Sequence, residues 1–187
     1  YLGTGFINDN SKIKVRIIST NTNDKFDTAF WQRRLQYAVD YRRTVMPGDA
    51  FKCCRLIFGE AEMFPGLTVD RFNDILVTQT LSLGIELRKE EVFPMLIQIL
   101  RNSGENIRGI YERNDVKIRE LEGMTENKGW FMPEPVEDKN PVTKIFETGI
   151  RYSVDVETGQ KTGFFLDQKY NRQAVARIAK GKHVLDC

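Results

Sequence analysis

The 187 residues are 41% hydrophobic and 29% charged, which suffices to bury one sizeable core or two small ones. Apolar runs such as Met95 to Leu100 fall far short of the roughly 20 residues that a membrane span needs, and no charged-then-apolar segment opens the chain, so a soluble, cytoplasmic protein away from membranes is expected. The net charge of +2 is unevenly spread: residues 1–55 hold ten Lys or Arg against five acids, and the remainder 18 against 21. A basic first third suits contact with a phosphate backbone, although a solvated face is the ordinary reading of such a run.

In chain order, Lys12-Ile13-Lys14-Val15-Arg16-Ile17-Ile18 alternates at period two, predicting a strand with one basic and one buried face. The chain starts without Met in this strand-like material, so a small β domain whose first strands are missing is expected. Asn21 to Asp24 reads as a polar linker. A helix is predicted from Thr28 to Arg43, with Trp31, Leu35, Ala38 and Val39 on one stripe, Asp27 as N-cap and Pro47-Gly48 as terminator. Arg33, Arg34, Arg42 and Arg43 lie mostly off that stripe. They are candidate RNA-binding residues, while the helix dipole already favours Arg42 and Arg43 in the last turn.

Strands are predicted at Phe51–Phe58, Leu67–Val69 and Ile75–Leu81, separated by Pro65-Gly66 and Asn73-Asp74 turns. A helix at Lys89–Asn102 follows, with Pro94 tolerable near its first turn and Gly104 as its stop. Further strands are expected at Ile107–Glu112 and Lys117–Leu121. Thr125–Pro141 reads as an extended interdomain connection. After it come a hairpin, Lys144–Glu147 and Ile150–Val156 joined at Thr148-Gly149, and a helix from Asp167 to Lys180 with Ala174, Val175, Ile178 and Ala179 as its apolar side and Gly181 beyond its end. His183-Val184-Leu185-Asp186 would then be a first strand of a doubly wound domain, with ligand expected near Asp186.

Cys53, Cys54 and Cys187 make neither a disulfide framework nor a metal-ligand spacing, and no metal is expected. The run Glu157 to Arg172 is more informative. Gly159 and Gly163 permit tight backbone, Phe164 and Phe165 offer flat apolar surface, and Asp167, Gln168, Asn171 and Arg172 set hydrogen-bonding groups on a first helical turn. Gly159-Gln160-Lys161-Thr162 lacks the glycine spacing of a P-loop, so nucleotide triphosphate hydrolysis is rejected.

This run resembles the segment before the first Rossmann-like strand in the large-subunit rRNA cytosine-C5 methyltransferases, whose members carry an N-terminal PUA RNA-binding domain. Tyr41-Arg42-Arg43-Thr44, Arg55 to Glu60 running into Phe64 to Phe72, and Ile110-Tyr111-Glu112-Arg113 are similar to that family too. The resemblance implies an α+β central domain (strand-strand-helix-strand-strand) flanked by the tail of a PUA domain and the start of an α/β class I methyltransferase domain. The expected divisions are 1–20, 21–140 and 141–187, the last truncated. It implies S-adenosyl-L-methionine (SAM) as cofactor, ribosomal RNA as partner, and Lys161, Phe164, Asp167, Gln168, Arg172 and Asp186 around the cofactor. A homodimer is compatible with it. It also implies a cysteine thiolate that adds to the cytosine ring before methylation, supplied downstream of Cys187, so that no catalytic residue is expected within these 187 residues. The alternatives are a non-catalytic RNA-binding module and a guanine-specific rRNA methyltransferase.

Overall fold

The computed structural model describes residues 1–131 and 136–185. The chain opens with an antiparallel hairpin of β1 (Thr4–Ile7) and β2 (Val15–Ser19), followed by α1 (Thr28–Val45). The Asp27 carboxylate accepts from the Phe30 amide at 2.9 Å, the predicted cap, worth about 1 kcal/mol. A five-stranded sheet follows, with β3 (Cys53–Phe58), β4 (Leu67–Phe72), β5 (Ile75–Thr80), then α2 (Leu83–Glu86) and α3 (Lys89–Asn102), then β6 (Gly109–Asn114) and β7 (Asn127–Trp130). The strands lie side by side in that order. All pairings are antiparallel except β5 with β6, whose parallel register requires the α2–α3 crossover. A second hairpin, β8 (Val142–Glu147) and β9 (Ile150–Asp155), leads to α4 (Lys169–Ala179).

The sheet is covered differently on its two faces. On one, α1 and α3 bury Phe30, Trp31, Leu35, Val92, Phe93 and Leu96 against Leu56, Val69, Leu76 and Ile110. On the other, Ile145 of β8, Val154 of β9 and Val156 just after it lie on Cys53, Phe72, Ile75, Val77 and Tyr111. Alternation along each strand sends neighbours to opposite covers; thus Cys53 faces the hairpin and Cys54 the helices.

Several expectations change. Ile13, Val15 and Ile17 face solvent rather than a core. The inward group is Arg16, drawn to Glu122 at 2.7 Å, and Glu122 also accepts from Asn8 and Ser11. The hairpin is further seated by Phe6 on Gly84, where a Cβ would lie 2.0 Å from the ring. Lys117–Glu122 is a 3₁₀ turn, not a strand, because Arg119 buries itself by donating to the Thr80 and Thr125 carbonyls and to Glu86. The strand is instead β7, inside the stretch expected to be a connection, and Phe131 and Val136 on its far side are buried. Pro133 and Pro135 lie outside the described residues. Pro94 is the sixth residue of α3, where it withholds a bond from the carbonyl of Glu90, a residue exposed to solvent. The apolar side predicted for α4 is not covered: none of its residues is buried. His183 to Leu185 form no strand, since a strand exists only through pairing and nothing pairs with them among the described residues.

Candidate functional site

The run from Val156 to Gln168 is held rigidly against the sheet. Asp155 accepts from the amides of Glu157 and Thr158 and from the Thr158 hydroxyl; those bonds, chiefly the one from the hydroxyl, hold its carboxyl below its ordinary pKa. Arg113 of β6 donates to the Val156 and Gly159 carbonyls, both at 2.9 Å. Only glycine suits position 159, because a Cβ there would stand 2.3 Å from the Asp155 carbonyl oxygen. The Gly163 amide closes a turn onto the Gln160 carbonyl, and within that turn Lys161 takes a left-handed backbone, φ 59°. Such a conformation costs a β-carbon residue on the order of 1 kcal/mol and persists only where its surroundings impose it.

The decisive anchor is Thr162. Buried beneath the turn, its hydroxyl donates to Asp70 Oδ2 at 2.6 Å. Asp70, 1% exposed, is held from the other side by Arg55, its cross-strand partner, through two bonds of 2.8 and 3.0 Å. The hydrogen bond to Asp70 raises the Arg55 pKa against the burial that would lower it.

This anchored turn forms one wall of an open cleft of about 890 Å³. Arg42 and Met46 at the end of α1, Cys53, Cys54 and Arg55 of β3, Asp70 and Gln79 form the other walls, and Lys161, Phe164, Phe165, Asp167, Gln168, Lys169 and Tyr170 complete it. Four of the six residues expected around a cofactor, Lys161, Phe164, Asp167 and Gln168, therefore meet here. Arg172 does something different. It forms a two-point ion pair with buried Glu147, at 2.7 and 2.9 Å, and lies 4.5 Å over the Phe164 ring. It thus fixes Phe164 and ties α4 to the hairpin. Asp186 lies outside the described residues.

The four arginines of α1 are engaged within the chain. Arg33 pairs with Asp24, Arg34 donates to the Ile18 carbonyl, Arg42 pairs with Glu62 at 2.7 Å, and Arg43 binds Ser103 and Glu105. Burial lowers the Arg34 pKa. They serve first as ties between α1 and its neighbours.

The two thiols on the cleft wall are kept protonated. Burial, followed by the nearby Glu147 charge, pushes the Cys53 thiol up to about 12. Burial likewise pushes Cys54 up to about 12, with Arg42 and Arg71 only partly opposing it. On the order of one such thiol in 10⁵ is ionised at neutral pH. Arg55, Asp70, Arg113 and Thr162 lie in the motifs that carry the resemblance, but the sequence reading gave them no role at the site. The available signal was Asp70 itself, a carboxylate inside the apolar strand Leu67–Phe72, which needs a buried partner.

The chain is similar to ribosomal RNA large subunit methyltransferases over its whole length. The protein of that name from Tolumonas auensis is 36% identical over 187 residues, and that from Aeromonas hydrophila 37% over 188. Each alignment covers 100% of this chain and 45% of the relative, so the chain spans somewhat under half the length of these curated relatives. No family model matches it. Among solved structures, a Streptococcus mutans protein assigned as a SAM-dependent methyltransferase superposes with a TM-score of 0.71 at 21% identity, covering 93% of this chain and 42% of its own. A protein assigned as a methyltransferase and complexed with SAH superposes at 0.72 and 20% identity, covering 93% and 41%. The fold is therefore shared with part of those chains. No helix among the described residues is long and apolar enough to cross a membrane.

Proposed function

We propose that this chain is the RNA-facing and donor-facing part of a SAM-dependent methyltransferase that acts on large-subunit ribosomal RNA and forms 5-methylcytosine. The observation that carries the reading is the convergence of Lys161, Phe164, Asp167 and Gln168 on one cleft, in a chain similar along its whole length to ribosomal RNA large subunit methyltransferases.

The cleft has the chemistry SAM requires. Phe164, Phe165 and Tyr170 offer flat surface for its adenine, and Asp167 and Gln168 offer acceptors and a donor for its hydroxyl and amino groups. When bound, the cofactor supplies an electrophilic methyl group. The chain's own residues hold the site in shape: Thr162, Asp70 and Arg113 fix the turn, Arg172 fixes Phe164, and Lys161 stands at the mouth, 6.0 Å from the centre of the Phe165 ring. Burial keeps Cys53 and Cys54 protonated, so in this reading neither supplies the attacking thiolate.

The test is methyl transfer from labelled SAM to unmodified ribosomal RNA by this chain and by the full-length protein. Incorporation by the full-length protein alone, mapped to 5-methylcytosine, is expected. No incorporation by either, with RNA still bound, would replace the reading by a non-catalytic RNA-binding module; methyl groups on guanine would replace the base assignment.

A further inference from the structure

A second pocket, of about 300 Å³, is lined by Asp49, Lys52, Asn73, Lys144, Ile145, Phe146 and Arg151. Its lining meets that of the cleft in sequence, Lys52 lining this pocket and Cys53 the cleft. Lys52, Lys144 and Arg151 are exposed, and none has a carboxylate partner among the described residues. That sets them apart from the α1 arginines, whose guanidinium groups are already bonded. Asp49 is the pocket's own acid and leaves its lining net positive. The neighbouring Asp74 is committed to Arg108 at 2.9 Å and to Thr143.

The geometry is that of a strand-borne platform. Lys144 and Phe146 are two residues apart on β8, on one face and roughly 7 Å apart, and Phe146 pairs directly with Arg151 across the hairpin. Phe146 is an aromatic ring left 44% exposed between cations. Aromatic rings interleaved with unpaired cations in a groove too small for a duplex are what single-stranded nucleic acid uses, one group for the base and the others for phosphate.

We propose that this pocket holds a single-stranded segment of the RNA substrate next to the cleft, with Lys52, Lys144 and Arg151 on its phosphates and Phe146 stacked on a base. The choice of RNA rests on the methyltransferase reading; the unpaired cations and the open ring do not.

The test is fluorescence anisotropy of the full-length protein with a labelled single-stranded 20-nucleotide RNA across a salt series, without SAM. The combined Lys52→Gln, Lys144→Gln and Arg151→Gln variant should weaken binding at least tenfold and reduce the salt slope by about two, as loss of three phosphate contacts requires. Phe146→Leu should weaken binding roughly fivefold with the slope unchanged, because it removes stacking and no charge. All four side chains are exposed, and unchanged thermal melts would show that the variants fold. Wild-type affinity and slope in the triple variant would overturn the proposal, as would loss of binding to anionic phosphatidylglycerol vesicles with RNA binding intact. SAM binding measured in parallel separates the readings: if SAM binds and the triple variant behaves as wild type, only the pocket falls. If neither SAM nor RNA binds the wild type, both fall.

Discussion

The helix-covered face of the sheet and its hairpin-covered face both carry polar ties but differ in how much apolar packing accompanies them. Under α1 and α3, 24 buried residues of the described chain make a thick apolar core, whereas under β8 and β9 only eight do so. The thin side is supplemented by polar ties spaced along it: Thr162 to Asp70, Arg113 to the 156 and 159 carbonyls, Thr143 to Asp74, and Arg172 to Glu147. Apolar packing is non-directional, and it gives stability wherever volume is filled. Hydrogen bonds have direction, and they can hold a loop over an open cleft that packing would close.

Substitutions that attack each side separately test that difference. The largest effect is expected from Trp31→Ala, which empties a fully buried site beside Phe6, Phe26, Phe30 and Phe64; a loss of about 3–5 kcal/mol in urea unfolding is expected. Asp70→Asn should cost less, about 1–2 kcal/mol, because Arg55 is 39% exposed and water takes up its charge. Its distinguishing sign is faster amide exchange at residues 159–163 with protection of α1 unchanged. Uniform exchange across the chain would show that the turn is not held by this tie.

A third prediction concerns pH. The Cys53 and Cys54 pKa values rise from 9.0 to about 12 on folding, so the folded state holds these protons more tightly. Their contribution to stability is complete below pH 9 and is lost as pH climbs toward 12. Alkylation at pH 8 followed by site-resolved mass spectrometry should leave both unmodified in the native protein and label both in urea; native labelling of either would contradict their burial. The smallest effect is expected on α4: Ile178, 75% exposed, should tolerate Ser within about 0.5 kcal/mol by thermal melt of this chain.

What the sequence revealed follows the range of the interactions. α1 and its Asp27 cap, the stop of α3 at Gly104 and the turn into Gly181 were legible, since each is set by residues within one helical turn, and both glycines carry positive φ. The β8–β9 hairpin was legible from alternation, with burial declining toward its turn, from Val154 to exposed Ile150. The orientation of the first hairpin was not, because it is decided by Glu122, 106 residues from Arg16. The 3₁₀ turn at Lys117 was missed for a similar reason, Arg119 being captured by the Thr80 carbonyl of β5, 39 positions away. In the candidate site, the residues of the 157–172 run were visible, but their anchor joins Thr162 to Asp70 across 92 positions. The free cations at Lys52, Lys144 and Arg151 could not be told from the paired ones in α1, since pairing is a property of the fold.

The central claim is that the cleft lined by Lys161, Phe164, Asp167 and Gln168 binds the methyl donor. Isothermal titration of SAM into the full-length protein and its Asp167→Ala variant tests it most directly. The account predicts binding by the wild type and at least about a tenfold loss in the variant, the usual cost of a charge-assisted hydrogen bond. Equal affinity in both, or no binding by the wild type, would contradict it.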